Sequence, residues 1–176
     1  MSTIGVSIAV PDPHGSLLQD YRVALGDESA RLIPTHVTLL PPYEVADEDL
    51  PGIVEHLESI ASESAPFTLH LRGTGTFRPI SPVVFVVVVE GISQCEQLTA
   101  RVRTGPLAAD LRFPYHPHVT VAHDVEDALL DRAFADLGDY DCSFEAGAFH
   151  LYLHDEVTGW HTTRSFPLGS RVSVSA

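Results

Sequence analysis

Lysine is absent from this 176-residue chain, and its ten basic residues are all arginine. That absence excludes a Schiff-base enzyme, a lysine-dependent Walker A loop and an ATP-driven ligase that forms a lysyl-adenylate. Cysteine is scarce. Cys95 and Cys142 cannot make a disulfide framework or a cysteine zinc site, and each is expected to be a small buried hydrophobe. No long hydrophobic run occurs. The longest, residues 83–89, is too short to cross a bilayer as a helix, and its valines favour a strand. The first five residues lack the basic region of a signal peptide, so a soluble cytoplasmic protein with no membrane contact is expected. Positive charge is outweighed: 24 acidic residues leave a formal net charge of −14. That field opposes an extended nucleic-acid binding surface and leaves a small phosphate ester or a strand end as the compatible partner.

What is present reads as a globular chain, 44% hydrophobic, without low-complexity linkers or a solenoid period. Residues 4–10 alternate as a strand. Residues 16–28 place Leu17, Leu18, Tyr21 and Leu25 at helical spacing. A short strand at 36–40 is expected to stop at Pro41-Pro42. Asp47 is placed to cap a helix running to about residue 62, with Ile53, Leu57 and Ile60 on one face. Residues 67–76 alternate as a half-buried strand, 78–82 form a turn, and 83–89 read as a central strand. A helix at 93–103 and a proline-bearing loop at 105–117 lead to a strand at 118–123. A helix at 126–137 then carries Leu129, Leu130, Phe134 and Leu137. Three closing strands are expected at 142–149, 151–155 and 160–167, and the tail 170–176 reads as loose. The predicted fold class is α+β: two pseudo-symmetric lobes with antiparallel sheets facing a central cleft, helices on the outside. Residues 1–176 are read as one bilobal domain, acting as a monomer.

Two phrases carry the chemistry. His36-Val37-Thr38 lies in one half and His118-Val119-Thr120 in the other, each followed by two apolar residues. In a strand, residues two apart share a face. His36 and Thr38 therefore project together, as do His118 and Thr120, while Val37, Leu39, Val119 and Val121 turn toward the core. Two imidazoles flanking one phosphate can act as general acid and base, and the threonine hydroxyls can donate to its oxygens. Which histidine is acid and which is base stays open. Tyr43 is a candidate to stack on a base or ribose, and Arg78 and Arg112 are candidates to hold phosphate. His116-Pro117-His118 invites a metal reading, but no carboxylate cluster completes a zinc set, and His116 is read as a cleft-edge residue. His70, His150, His154 and His161 are read as structural or exposed.

The paired motifs resemble the 2H phosphoesterase superfamily, in particular its 2′-5′ RNA ligase-like and cyclic phosphodiesterase branch. The matching residues are His36-Val37-Thr38 with Leu39 to Tyr43 behind it, and Pro117-His118-Val119-Thr120-Val121-Ala122. The resemblance spans the chain from its first strand to Leu168. It implies metal-independent, cofactor-free hydrolysis or transesterification of 2′,3′-cyclic or 2′-5′ phosphodiesters, with His36 and His118 as acid and base. Two rival classes remain: a non-catalytic nucleotide or RNA-end binding module on the same fold, and a His-ligated metallohydrolase.

Overall fold

The structure is a computed structural model and describes residues 1–169; the tail 170–176 lies outside the described residues. Eight strands and four helices follow one another along the chain. They are β1 (Ser2–Ala9), α1 (His14–Leu25), β2 (His36–Val45), α2 (Leu50–Ser62), β3 (Phe67–Thr76), β4 (Val83–Glu90), α3 (Ile92–Val102), β5 (His118–His123), α4 (Asp127–Asp136), β6 (Asp141–Ala146), β7 (Ala148–Asp155) and β8 (Gly159–Pro167). The strands form two four-stranded sheets, β2-β1-β7-β8 and β5-β4-β3-β6, in which every pairing is antiparallel. This is the α+β, two-sheet architecture expected from the sequence.

The sheets are not the halves of the chain. The first sheet takes its strands from both ends, and the second comes from the middle. The change of sheet falls at Gly147, between β6 and β7. Helices cross over as well. Helix α1 follows β1 of the first sheet but packs on β5 of the second, and α3 follows β4 but packs on β2. The two histidine-bearing strands, β2 and β5, are edge strands of their sheets and contact each other.

Alternation explains the faces. On β1, Ile4, Val6 and Ile8 are buried in the core, and Gly5, Ser7 and Ala9 share the other face. On β4, Val84, Val86 and Val88 are buried on one face and Val83 and Phe85 on the other, as expected for an interior strand. On α2, Ile53, Leu57 and Ile60 are buried along one stripe, each such side chain contributing about 1.5–3 kcal/mol.

Several local expectations are corrected. Pro41-Pro42 do not stop β2, which continues to Val45. Proline is tolerated because β2 is an edge strand. The register steps from Val6 opposite Leu40 to Ile4 opposite Tyr43, so the two prolines bulge against Gly5. Asp47 is not the cap of α2; its carboxylate accepts hydrogen bonds from the Ser2 hydroxyl and the terminal amine instead. Helix α1 begins at His14 and ends at Leu25, where Gly26 takes a left-handed φ of 98°. Leu17 and Phe134 point to solvent, whereas Leu18, Leu130 and Leu137 are buried. Cys95 and Cys142 are both free and buried. Among the described residues no helix is long and apolar enough to cross a membrane.

Candidate active site

His36 opens β2 and His118 opens β5, and the two are held in the same way. The Nδ1 of His36 donates to the carbonyl of Pro34 at 2.7 Å, and the Nδ1 of His118 donates to the carbonyl of His116 at 2.7 Å. A carbonyl only accepts, so each contact keeps the proton on Nδ1 and leaves Nε2 as the titrating atom. In both strands the valine after the histidine is fully buried, and so is the residue two further on, Leu39 or Val121. Packing on the core face therefore fixes the rotation of each strand, and the backbone two residues upstream fixes the ring.

The two rings differ in their surroundings. Burial at the cleft floor, with Arg22 and His118 adding repulsion, pushes the imidazolium of His36 down to about 4. Burial also lowers the value for His118, helped by the neighbouring His116. Phe77 meets the His118 ring edge-on at 4.9 Å and Phe85 lies 5.2 Å from it. Gly75 makes room for this packing: a Cβ there would stand 2.7 Å from the Phe85 ring.

Two cavities meet at Thr38. A large one of about 700 Å³ is bordered by Thr38 and His118, with walls from Tyr43, Phe77, Ile80, Phe113 and Tyr115 among others. That volume lies within the usual range for sites that take small organic ligands. A small one of about 70 Å³ is bordered by His36, Thr38 and Ser7, with Tyr152, Trp160, Ile33 and Pro42 also lining it.

The predicted residues separate as follows. Thr38, Tyr43, Arg112, His116 and His118 border the large cavity; His36 and Thr38 border the small one. Arg112 lies 5.9 Å over the Phe113 ring. Thr120 is half-buried and borders neither cavity; its cross-strand neighbour is Phe85. Arg78 is withdrawn from the cleft. Its guanidinium donates to Asp131 at 2.9 Å and to the Thr76 hydroxyl at 3.2 Å, and it sits with Pro79, Pro82 and Asp127. Among the described residues no three His, Cys, Asp or Glu side chains come together as a metal set.

Sequence reasoning passed over Ser7, Trp160, Phe77 and Tyr115. Tyr115 braces the site: its hydroxyl donates to the carbonyl of Thr38 at 2.7 Å, tying the loop before β5 to the other sheet. A signal for Ser7 existed. Small residues alternate with Ile4, Val6 and Ile8 along β1, which marks the face turned from the core.

The model of the family described as the 2′-5′ RNA ligase superfamily matches residues 10–158. Relatives from Bacillus cytotoxicus and Bacillus mycoides, each named "putative phosphoesterase", are 32% identical over 145 residues, covering 81% of this chain and 84% of theirs. Among solved structures, Escherichia coli LigT complexed with 3′-AMP superposes with a TM-score of 0.69 at 20% identity, covering 95% of this chain and 98% of that one. LigT complexed with NADP+ gives 0.68 at 19% identity, covering 96% and 98%. A protein from Thermus thermophilus gives 0.69 at 21% identity, covering 97% and 100%. At such identities these structures establish the shared fold.

Proposed function

Because the chain belongs to the 2′-5′ RNA ligase superfamily, we propose that it is a metal-independent phosphoesterase acting on 2′,3′-cyclic or 2′-5′ phosphodiesters of RNA ends or small nucleotides. The observation that carries this reading is the matched pair of histidines. Each opens an edge strand of its own sheet, each has Nδ1 tied to a carbonyl two residues back, and each keeps Nε2 free. One takes a proton from the nucleophile and the other gives one to the leaving oxygen, roles typically worth ~10²–10⁴ in rate each. Thr38, at the junction of the cavities, donates to a non-bridging phosphate oxygen. The large cavity takes the nucleoside, with Tyr43 and Phe113 as stacking surfaces and Arg112 and His116 at its rim. The small nucleotides held by E. coli LigT fit a cavity of this size. The site is built from one chain's two sheets, so a single bilobal domain, working as a monomer, suffices.

The test is a panel of 2′,3′-cyclic mononucleotides and 2′-5′ dinucleotides assayed in chelator. Turnover is expected. His36→Ala and His118→Ala should each lower kcat by ~10²–10⁴. Activity that survives replacement of both histidines overturns the mechanism. Tight binding without turnover by the unmodified protein makes it a binding module instead.

A further inference from the structure

One stretch of chain reaches both the large cavity and the two motifs. Residues 109–116 all border that cavity. Among the described residues no hydrogen bond involves residues 110–114, and Asp110, Arg112, Phe113 and Pro114 are exposed. A segment without internal bonds opens at little cost and is ordered by whatever packs against it. Its two ends are held. Arg103 Nε donates to the carbonyl of Ala109 at 3.3 Å, and the Tyr115 hydroxyl donates to the carbonyl of Thr38 at 2.7 Å.

The Tyr115 end differs from the Ala109 end. The next residue is His116, whose carbonyl holds Nδ1 of His118. Thr38 belongs to the first motif. Two hydrogen bonds and two residues of main chain therefore join the threonine of one sheet to the imidazole of the other. The phenol suits this link. Its ring packs on the core, and burial pushes its ionisation well above the ordinary value, so the hydroxyl stays a donor. The next carbonyl on β2, that of Leu39, accepts from buried Thr99 at 3.1 Å, so the strand receiving the Tyr115 bond is itself fixed. The loop before β2 is held differently. Gln19 donates to the Ala30 carbonyl at 2.8 Å, and Thr35 donates to the Gly15 carbonyl at 2.7 Å. Both bonds run to α1, and none of residues 28–36 borders the large cavity. His36 is thus held whether or not that cavity is filled, whereas the placement of His118 depends on a loop that forms the cavity wall.

We propose that Tyr115 is a positioning residue that couples occupation of the large cavity to the alignment of His118 with Thr38, so that the group held there speeds the chemical step as well as binding. This rests on the phosphoesterase reading above. A ligand packed against residues 110–114 orders them, and the Tyr115 bond converts that order into one fixed separation between the motifs. Binding energy from a part of the substrate remote from the reacting atoms is thereby used at the phosphate. Misplacing a reacting group by about 1 Å can cost ~10² in rate, so a small tightening is measurable.

The test compares 2′,3′-cyclic AMP with methyl riboside 2′,3′-cyclic phosphate, which carries the same reacting group and no base. The unmodified protein should turn over the nucleotide with kcat about tenfold above that for the truncated ester. Tyr115→Phe keeps the ring and removes the donor. It should lower kcat for 2′,3′-cyclic AMP about tenfold, hold its KM within about twofold and leave kcat for the truncated ester unchanged, so that the two substrates become equivalent. Arg103→Ala frees the other end of the same loop and should raise KM with kcat retained. An equal loss of kcat on both substrates in Tyr115→Phe makes the hydroxyl a structural brace alone and overturns the coupling. Unchanged kcat in that variant, equal kcat for the two substrates in the unmodified protein, or a matching kcat loss in Arg103→Ala overturns it too. No turnover of either ester by the unmodified protein overturns the phosphoesterase reading itself.

Discussion

Burial acts on His36 in two measurable ways. Its ordinary value is 6.5 and its folded value is about 4, with desolvation the leading cause. Between those values the unfolded chain binds a proton that the folded chain does not. Stability from this group is therefore complete above pH 6.5 and is lost as pH falls toward 4. His118 and His150, both lowered by burial, add the same sign. Thermal melts should show Tm falling through this window, less steeply in His36→Gln. The acid limb of kcat/KM should lie below pH 6.5, since burial lowers both histidines and the proposed mechanism needs one of them neutral. The threonines should separate as well. Thr38 borders both cavities and Thr120 neither, so Thr38→Val should cost ~10² in kcat or more, and Thr120→Val far less. Equal losses would place Thr120 against the phosphate. The sequence pattern treats the two motifs as equivalent because alternation assigns a face and not a neighbour. The difference comes from Ser7 and Phe85 on the adjacent strands.

At the scale of elements, the segment leading to β2 is pinned to β5 by one buried carboxylate. Asp27 accepts from Arg22 Nε at 3.0 Å and Nη2 at 2.7 Å, from the Ser29 backbone and hydroxyl, and from the His123 backbone N–H at 3.1 Å. Arg22 and Asp27 are 4% and 2% exposed. Removing one partner leaves the other charge buried, which costs about 3–5 kcal/mol. Asp27→Ala should lower the urea midpoint accordingly, whereas Asp131→Ala, which breaks the exposed pair with Arg78, should cost about 1 kcal/mol or less. Nothing in the local pattern announces this pin, because the spacing carries the helix through residue 28 with Asp27 inside it, and its partner His123 is 96 residues away. Strands β3 and β5, by contrast, are legible to the residue. Their alternation is regular, and turns or prolines bound them. The extension of β2 through Pro41-Pro42 was hidden for the opposite reason. Proline breaks an interior strand, and edge position is a property of the sheet.

The whole molecule assembles its two lobes from interleaved parts, and this too lies beyond sequence order. Matching motifs in each half predict two similar lobes. They cannot indicate that β7 and β8 return to complete the first sheet, because that pairing depends on long-range contacts alone. What sequence does fix at this scale is charge, and charge governs how an anionic substrate arrives. The net charge is −14, and several arginines are already engaged: Arg22 by Asp27, Arg78 by Asp131, Arg101 by Glu63 and Arg164 by Glu58. Of the residues bordering the two cleft cavities, Arg112 is the one cation of fixed charge. An approaching phosphodiester therefore meets repulsion at long range and a single guanidinium at short range. Raising ionic strength from 0.01 to 0.1 M shortens the Debye length from ~30 to ~10 Å and screens the long-range part. For 2′,3′-cyclic AMP, kcat/KM should rise over that interval. For oligonucleotides ending in the same cyclic phosphate it should fall as the chain lengthens at low salt, because each added phosphate is repelled, and the dependence should flatten at about 0.1 M. A protein with a basic track for RNA behaves in the reverse sense, losing affinity with a log–log slope of about −0.7 for each single-strand phosphate neutralised. A loss of that steepness would reveal an extended RNA surface and overturn the small-substrate reading.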